Sequence, residues 1–287
     1  MYGTNKNSVE LLAPAGSIDH IRGAIKAGAD AVYIGIQGMS ARPETWEFDL
    51  SDAIKAVRIA HKVGISIYFA LNAEYSEAQA STLGDYLKQI ENSGCDALII
   101  ADWGLLKSIK NMGFKIPVHA STLLGVYNIA SIQLLEKMGI KRVILNTNLF
   151  LDEIAAMIKA CPKMEFEIIV YGGLCFNDNR RCSLPHMTIN GNYFVGCQYD
   201  YIIKNLQNNM ESKPTNIHMP EIDLSSTLAL YISIGITAFK IEGRTRSKNY
   251  ISKATTNLRK TIDNLMKQPQ ITRLNHYVIH PGDIGIY

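Results

Sequence analysis

Three cysteines, Cys175, Cys182 and Cys197, fall within twenty-three residues, with six and then fourteen residues between them. Their neighbours Asn177, Asp178, Asn179, Arg180 and Arg181 are polar, a poor setting for thiols that serve only as small core residues. Thiolates grouped in this way support a redox site, a zinc ion or an iron–sulfur cluster. Structural zinc sites use closely spaced cysteine knuckles; this spacing lacks them, and zinc would need a residue such as His186 as its fourth ligand. A [4Fe–4S] cluster accepts irregular spacing and a fourth ligand other than cysteine, which puts it ahead of zinc. The other two cysteines, Cys95 and Cys161, read as core residues: Cys95 fills a slot taken elsewhere by Ala29, Ile65 or Ile140, and Cys161 precedes Pro162 at a helix end.

Other polar residues stand where long apolar runs stop. Arg244, with Arg246 and Lys248 behind it, follows such a run, and a guanidinium suits bidentate recognition of a carboxylate or phosphate. Glu242 could act as an acid or base, or pair with Arg244 or Lys240. His119 could be catalytic or a satisfied core histidine. Asn72 and Asp102 could bind substrate or cap the helices that follow. Glu10 lies inside an apolar run, is a candidate for binding substrate, and needs a partner if buried, with Arg244 or Lys240 the expected one.

The elements that must hold these groups come from a repeat. An amphipathic stretch, a glycine and a run of aliphatic or β-branched residues recur at Gly28, Gly64, Gly94, Gly113, Gly139 and Gly235. A glycine that ends a helix and leads into a continuously apolar strand marks an αβ joint. Two strands without the glycine, at 9–13 and 165–171, bring the expected count to eight. Eight alternations favour a closed (β/α)8 TIM-type barrel over an open doubly wound sheet. The barrel is expected over residues 1–268, with a tail over 269–287 and a long insertion after the seventh strand at about 172–226. That insertion carries the three clustered cysteines, and the strand C-termini form the functional face.

The composition agrees with a folded globular protein: apolar residues make up 47% and charged residues 19% of 287, enough to bury a large core. A net charge of +3 is too small to argue for nucleic acid by itself. The first residues lack the basic and apolar segments of a signal peptide, and no apolar run is long enough to span a bilayer. A cytoplasmic protein without membrane insertion is expected, with reduced thiols rather than disulfides.

Four segments, Glu10–Ser17, Ala27–Gly35, Tyr171–Cys175 with Arg181–Leu184, and Lys240–Arg244, resemble in order the family called peptidase U32, over roughly residues 8 to 265. The resemblance implies an iron–sulfur protein for oxygen-independent hydroxylation of an RNA base or of a small aromatic or quinone precursor, with prephenate as oxygen donor. It implies Cys175, Cys182 and Cys197 as cluster ligands. The family's fourth cysteine has no counterpart, and counting back from Lys240 puts Asp223 in its place; a carboxylate is a harder ligand than a thiolate. Arg244 would then face prephenate's carboxylates or an RNA phosphate. Many RNA-hydroxylating relatives are longer; the length looks more like that of the short ubiquinone-pathway hydroxylation proteins, for which the resemblance implies a related partner subunit. The family's older name implies a collagenase-like peptidase, but the sequence contains no HExxH or GxSxG motif. A non-catalytic partner or scaffold with a structural metal site is the remaining alternative.

Overall fold

Each of the six repeat glycines adopts a positive φ, between +71° and +104°, so every preceding helix ends in a left-handed turn that redirects the chain into a strand. The computed structural model describes residues 9–41, 47–174, 186–189, 192–195, 200–216 and 221–267. Seven barrel strands follow in chain order: β1 (Glu10–Ala15), β2 (Ala31–Gly35), β3 (Ser66–Leu71), β4 (Ala97–Ile100), β5 (Val118–Ala120), β6 (Arg142–Ile144) and β7 (Glu165–Gly173). The helices α1 (Ile18–Lys26), α2 (Leu50–His61), α3 (Glu77–Ala80), α4 (Leu83–Glu91), α5 (Trp103–Met112), α6 (Ile129–Lys137) and α7 (Leu151–Ala160) lie between them. Side chains of Ser17, Asp49, Asp102 and Asn128 cap α1, α2, α5 and α6 by accepting backbone N–H groups, which sets where each βα connection stops.

The long connection after β7 contains two antiparallel pairs, β8 (His186–Ile189) with β9 (Asn192–Val195) and β10 (Asp200–Tyr201) with β11 (Thr215–Asn216). It ends in β12 (Glu221–Asp223), α8 (Leu228–Ile234), the eighth barrel strand β13 (Ala238–Ile241) and α9 (Lys248–Met266). Parallel pairing runs from β1 through β6 to β7, then to β13 and back to β1, so the barrel is closed. The eightfold alternation is thus a (β/α)8 barrel. The tail expected over 269–287 lies outside the described residues.

Strand alternation divides the core in two. Outward side chains such as Leu11, Val32, Phe69, Phe166 and Phe239 pack beneath the helices, and none of these exceeds 1% exposure. Inward side chains Leu12, Ala31, Tyr33, Tyr68, Ala70, Ala97, Ile99 and Ile144 form a separate apolar layer within the barrel. Cys95 and Cys161 are buried, as their sequence slots imply, and burial pushes the Cys95 thiol up to about 12. Among the described residues no helix is long and apolar enough to cross a membrane.

Candidate active site

Below the inward apolar layer, charged residues plug the N-terminal end of the barrel. Arg142, the first residue of β6, reaches Glu10 at 2.6 Å, Glu165 at 2.9 Å and Glu167 at 3.1 Å. Glu167 is fully buried and also meets Lys240 Nζ at 3.2 Å. The Tyr68 hydroxyl donates to Glu10 at 2.7 Å; burial first, then the Glu10 charge, pushes this phenol upward. The expected pairing of Glu10 with Arg244 or Lys240 is therefore corrected to Arg142 and Tyr68. The reason is position: Glu10 opens β1, at the end of the barrel away from the strand C-termini, so it belongs to the plug and not to the substrate face.

His119 points inward from β5, where the register pairs it with Arg142. Its ring meets the Tyr68 ring edge-on at 5.0 Å between centroids. Burial, then the charges of Arg142 and Lys240, lowers its pKa well below the ordinary value, so the imidazole stays neutral at pH 7. Its Nδ1 is buried without a hydrogen-bond partner. It stands beside the plug, inside the barrel.

Above the plug the polar groups organise around Tyr33. Lys240 Nζ lies 4.2 Å from the centroid of the Tyr33 ring and Arg244 Cζ 5.9 Å from it, so one ring meets two cations. The Tyr33 hydroxyl donates to the Ile241 carbonyl at 3.1 Å, tying β2 to the strand that carries both cations. Lys240 is pulled down by burial and held up by Glu167. Arg244 is only 4% exposed, and its Nη2 donates to Ser40 Oγ at 2.6 Å. A Cβ placed on Gly35 would stand 1.7 Å from Arg244 Nη1, so the guanidinium occupies space that only glycine leaves open. Arg244 is thus held in a slot at the C-terminal end of β2, on the functional face.

Glu242 stays on that face because β7 closes against it. Its N–H donates to the Tyr171 carbonyl at 2.8 Å, and a Cβ on Gly172 would meet its carbonyl oxygen at 2.4 Å. Asn72 Oδ1 accepts from the Ala41 N–H at 3.2 Å, and Asp102 Oδ1 accepts from Leu105 at 2.7 Å as the cap of α5. Both sit at strand ends on the functional face, where they shape the loops.

The candidate metal ligands divide between described and undescribed chain. Cys175, Cys182 and Cys197 lie outside the described residues. Asp223 is exposed, opposite Tyr171 in the β12–β7 register, and its Oδ1 accepts from the Ser225 N–H at 2.9 Å and from the Ser225 hydroxyl. Among the described residues no group of three or more histidine, cysteine or acidic side chains is placed to hold a metal. The pairing of Glu221 with Gly173 and of Asp223 with Tyr171 ties the returning end of the insertion to its start. Residues 171–173 and 221–223, which flank the cysteine-bearing segment, are therefore paired with each other at the barrel mouth.

Arg142, Glu165, Glu167 and Ser40 were not singled out in the sequence. Glu165, Glu167 and Ile169 alternate along β7, a signal that charge faces inward. Ser40 carried no such signal, because its partner is two hundred and four residues away.

The model of peptidase family U32 matches residues 16–279. A tRNA hydroxylation protein P of Helicobacter pylori is 32% identical over 90% of this chain and 65% of its own length. The 23S rRNA 5-hydroxycytidine C2501 synthase of Escherichia coli is 29% identical over 92% of this chain and 41% of its own. The chain thus spans less than two thirds of either relative. A solved KDPGal structure superposes with a TM-score of 0.55 over 93% of this chain and all of its own, at 11% identity, a likeness of fold alone.

Proposed function

Since the chain belongs to peptidase family U32, we propose that it takes part in oxygen-independent hydroxylation of an RNA base, with a [4Fe–4S] cluster held by Cys175, Cys182, Cys197 and Asp223 and with prephenate as oxygen donor. The observation that carries this reading is the slot of Arg244, a buried guanidinium fixed by Gly35, Ser40 and Tyr33 at the barrel mouth. A preorganised guanidinium binds a carboxylate without the reorganisation an exposed arginine needs. The names of the two relatives support RNA as the substrate. The cluster, when bound, supplies one-electron chemistry or an open iron site. Arg244 orients the donor's carboxylate, Glu242 exchanges a proton at the mouth, and neutral His119 with the plug beneath keeps water out of the barrel.

The test is expression in a bacterial host whose own U32 relative has been deleted, followed by mass spectrometry of nucleosides from digested RNA. A hydroxylated nucleoside that returns with the wild-type chain and is lost with Cys175→Ala and Arg244→Ala supports the reading. Hydroxylation that appears only on coexpression with a second family member assigns this chain a partner subunit. No hydroxylated nucleoside in either arm, or gelatin hydrolysis that survives Cys175→Ala, overturns it in favour of the scaffold or the peptidase.

A further inference from the structure

We propose that a cleft on the β2–β3 side of the barrel mouth receives a single unpaired base of an RNA strand; this rests on the RNA reading above and assigns that substrate a subsite. The cleft, about 530 Å³, is lined by Gln37, Met39, Asp49, Tyr75, Gln79 and Tyr86 among others, within the usual range for small-ligand sites. It lies between the loop after β2 and the segment after β3, and so on the functional face.

The lining chemistry selects a base over other ligands. Asp49 contributes negative charge to the lining, which disfavours a phosphate. Gln37 presents a donor beside an acceptor, the pattern that matches a base edge, and Gln79, whose Oε1 already accepts from the Ser76 N–H and hydroxyl at 2.9 Å, adds amide donors; a simple cation asks only for acceptors. Tyr75 and Tyr86 offer aromatic surface of the kind on which unstacked bases rest. Burial, then the charges of Asp102 and Glu47 at Tyr75 and of Asp49 and Glu47 at Tyr86, raises both phenols, so they remain neutral hydrogen-bonding groups. Trp103, after the cap Asp102 at the end of β4, adds an indole 39% exposed on the same face.

The cleft is coupled to the Arg244 slot by a shared wall. The Met39 carbonyl accepts from the Tyr75 hydroxyl at 2.9 Å and from the Ala73 N–H at 3.1 Å. The next residue, Ser40, accepts from Arg244. One loop therefore separates a guanidinium on one side from an aromatic and amide cleft on the other, an arrangement that sets a base beside the Arg244 slot.

A short single-stranded RNA carrying 4-thiouridine, irradiated with the purified protein and mapped by mass spectrometry, tests this directly. Adducts are expected on the peptides that carry Tyr75 and Tyr86. The dissociation constant of the oligonucleotide should rise roughly tenfold in Tyr86→Ala, the scale of one lost base–aromatic stack, and measurably in Gln37→Ala, whose exposed side chain can be removed without disturbing the core. Adducts confined to other segments with unchanged affinity in both variants overturn the base site while leaving RNA hydroxylation standing. Absence of oligonucleotide binding, or NMR saturation transfer to tetramethylammonium but not to cytidine monophosphate, also overturns it. The host experiment above, read by hydroxylated nucleoside, fails separately if the RNA reading itself is wrong.

Discussion

Gly35 and Arg244 show how a single missing Cβ can define a site. An alanine at position 35 would put a methyl 1.7 Å from Arg244 Nη1, and the next nearest atoms belong to Arg244 Cζ and Ser40 Oγ. All three belong to side chains, so the barrel can survive the change while the guanidinium is displaced. Gly35→Ala is expected to leave the melting temperature within a few degrees and to lower the yield of hydroxylated nucleoside about a hundredfold, the scale of a displaced positioning group. Added to Arg244→Ala it should cause little further loss, because both changes remove the same interaction; a fully additive double variant would show that Gly35 acts elsewhere. Part of this was legible in the sequence. Arg244 stood out as a cation after an apolar run, but its contact with Gly35 is long-range and leaves no spacing signature. Asp102 gave an ambiguous reading, since a carboxylate at a strand end can cap the next helix or bind a ligand, and the 2.7 Å bond to Leu105 fixes it as the cap.

The strands were the most readable elements. The glycine before six of the buried runs suits a left-handed helix end, and all six adopt it. The interior faces were less readable, because a strand buried on both sides loses the polar–apolar alternation that reveals direction. The charged residues on β6, β7 and β13 show the consequence: Arg142, Glu167 and Lys240 face one another inside the barrel. Glu167 is fully buried between two cations at 3.1 and 3.2 Å. Removing one partner of a buried pair strands the others, at a cost of roughly 3–5 kcal/mol. Glu167→Ala should therefore shift the urea midpoint strongly, and the paired change Glu167→Leu with Lys240→Met should recover much of the loss, since apolar replacement of a whole ion pair is often tolerated. A midpoint unchanged in Glu167→Ala would mean that Arg142 and Lys240 find other partners.

At the scale of the whole molecule, the barrel presents a mouth and the insertion starts and returns on the same strand beside it. β12 returns antiparallel to β7 and sets Asp223 opposite Tyr171, four residues before Cys175 in sequence. A segment fixed at both ends on one strand has less freedom to lose on binding a group than one tethered at a single end. On the proposed reading, three thiolates on that segment and one carboxylate at its root would form a ligand set of mixed softness. Anaerobic purification with iron and sulfide analysis should give close to four of each per chain, with a broad visible absorption lost in Cys175→Ala, Cys182→Ala and Cys197→Ala. Asp223→Ala tests the fourth position separately. If the carboxylate ligates iron, this variant should keep three or four irons but show an altered electron paramagnetic resonance signal after reduction, and Asp223→Cys should restore a cluster more resistant to air, as thiolate replaces a harder ligand. An unchanged signal in Asp223→Ala would leave Asp223 as the cap of its own turn with Ser225, and the fourth iron would then be open to substrate. Zinc in place of iron would remove one-electron chemistry from the mouth and leave the same barrel with a structural or hydrolytic metal.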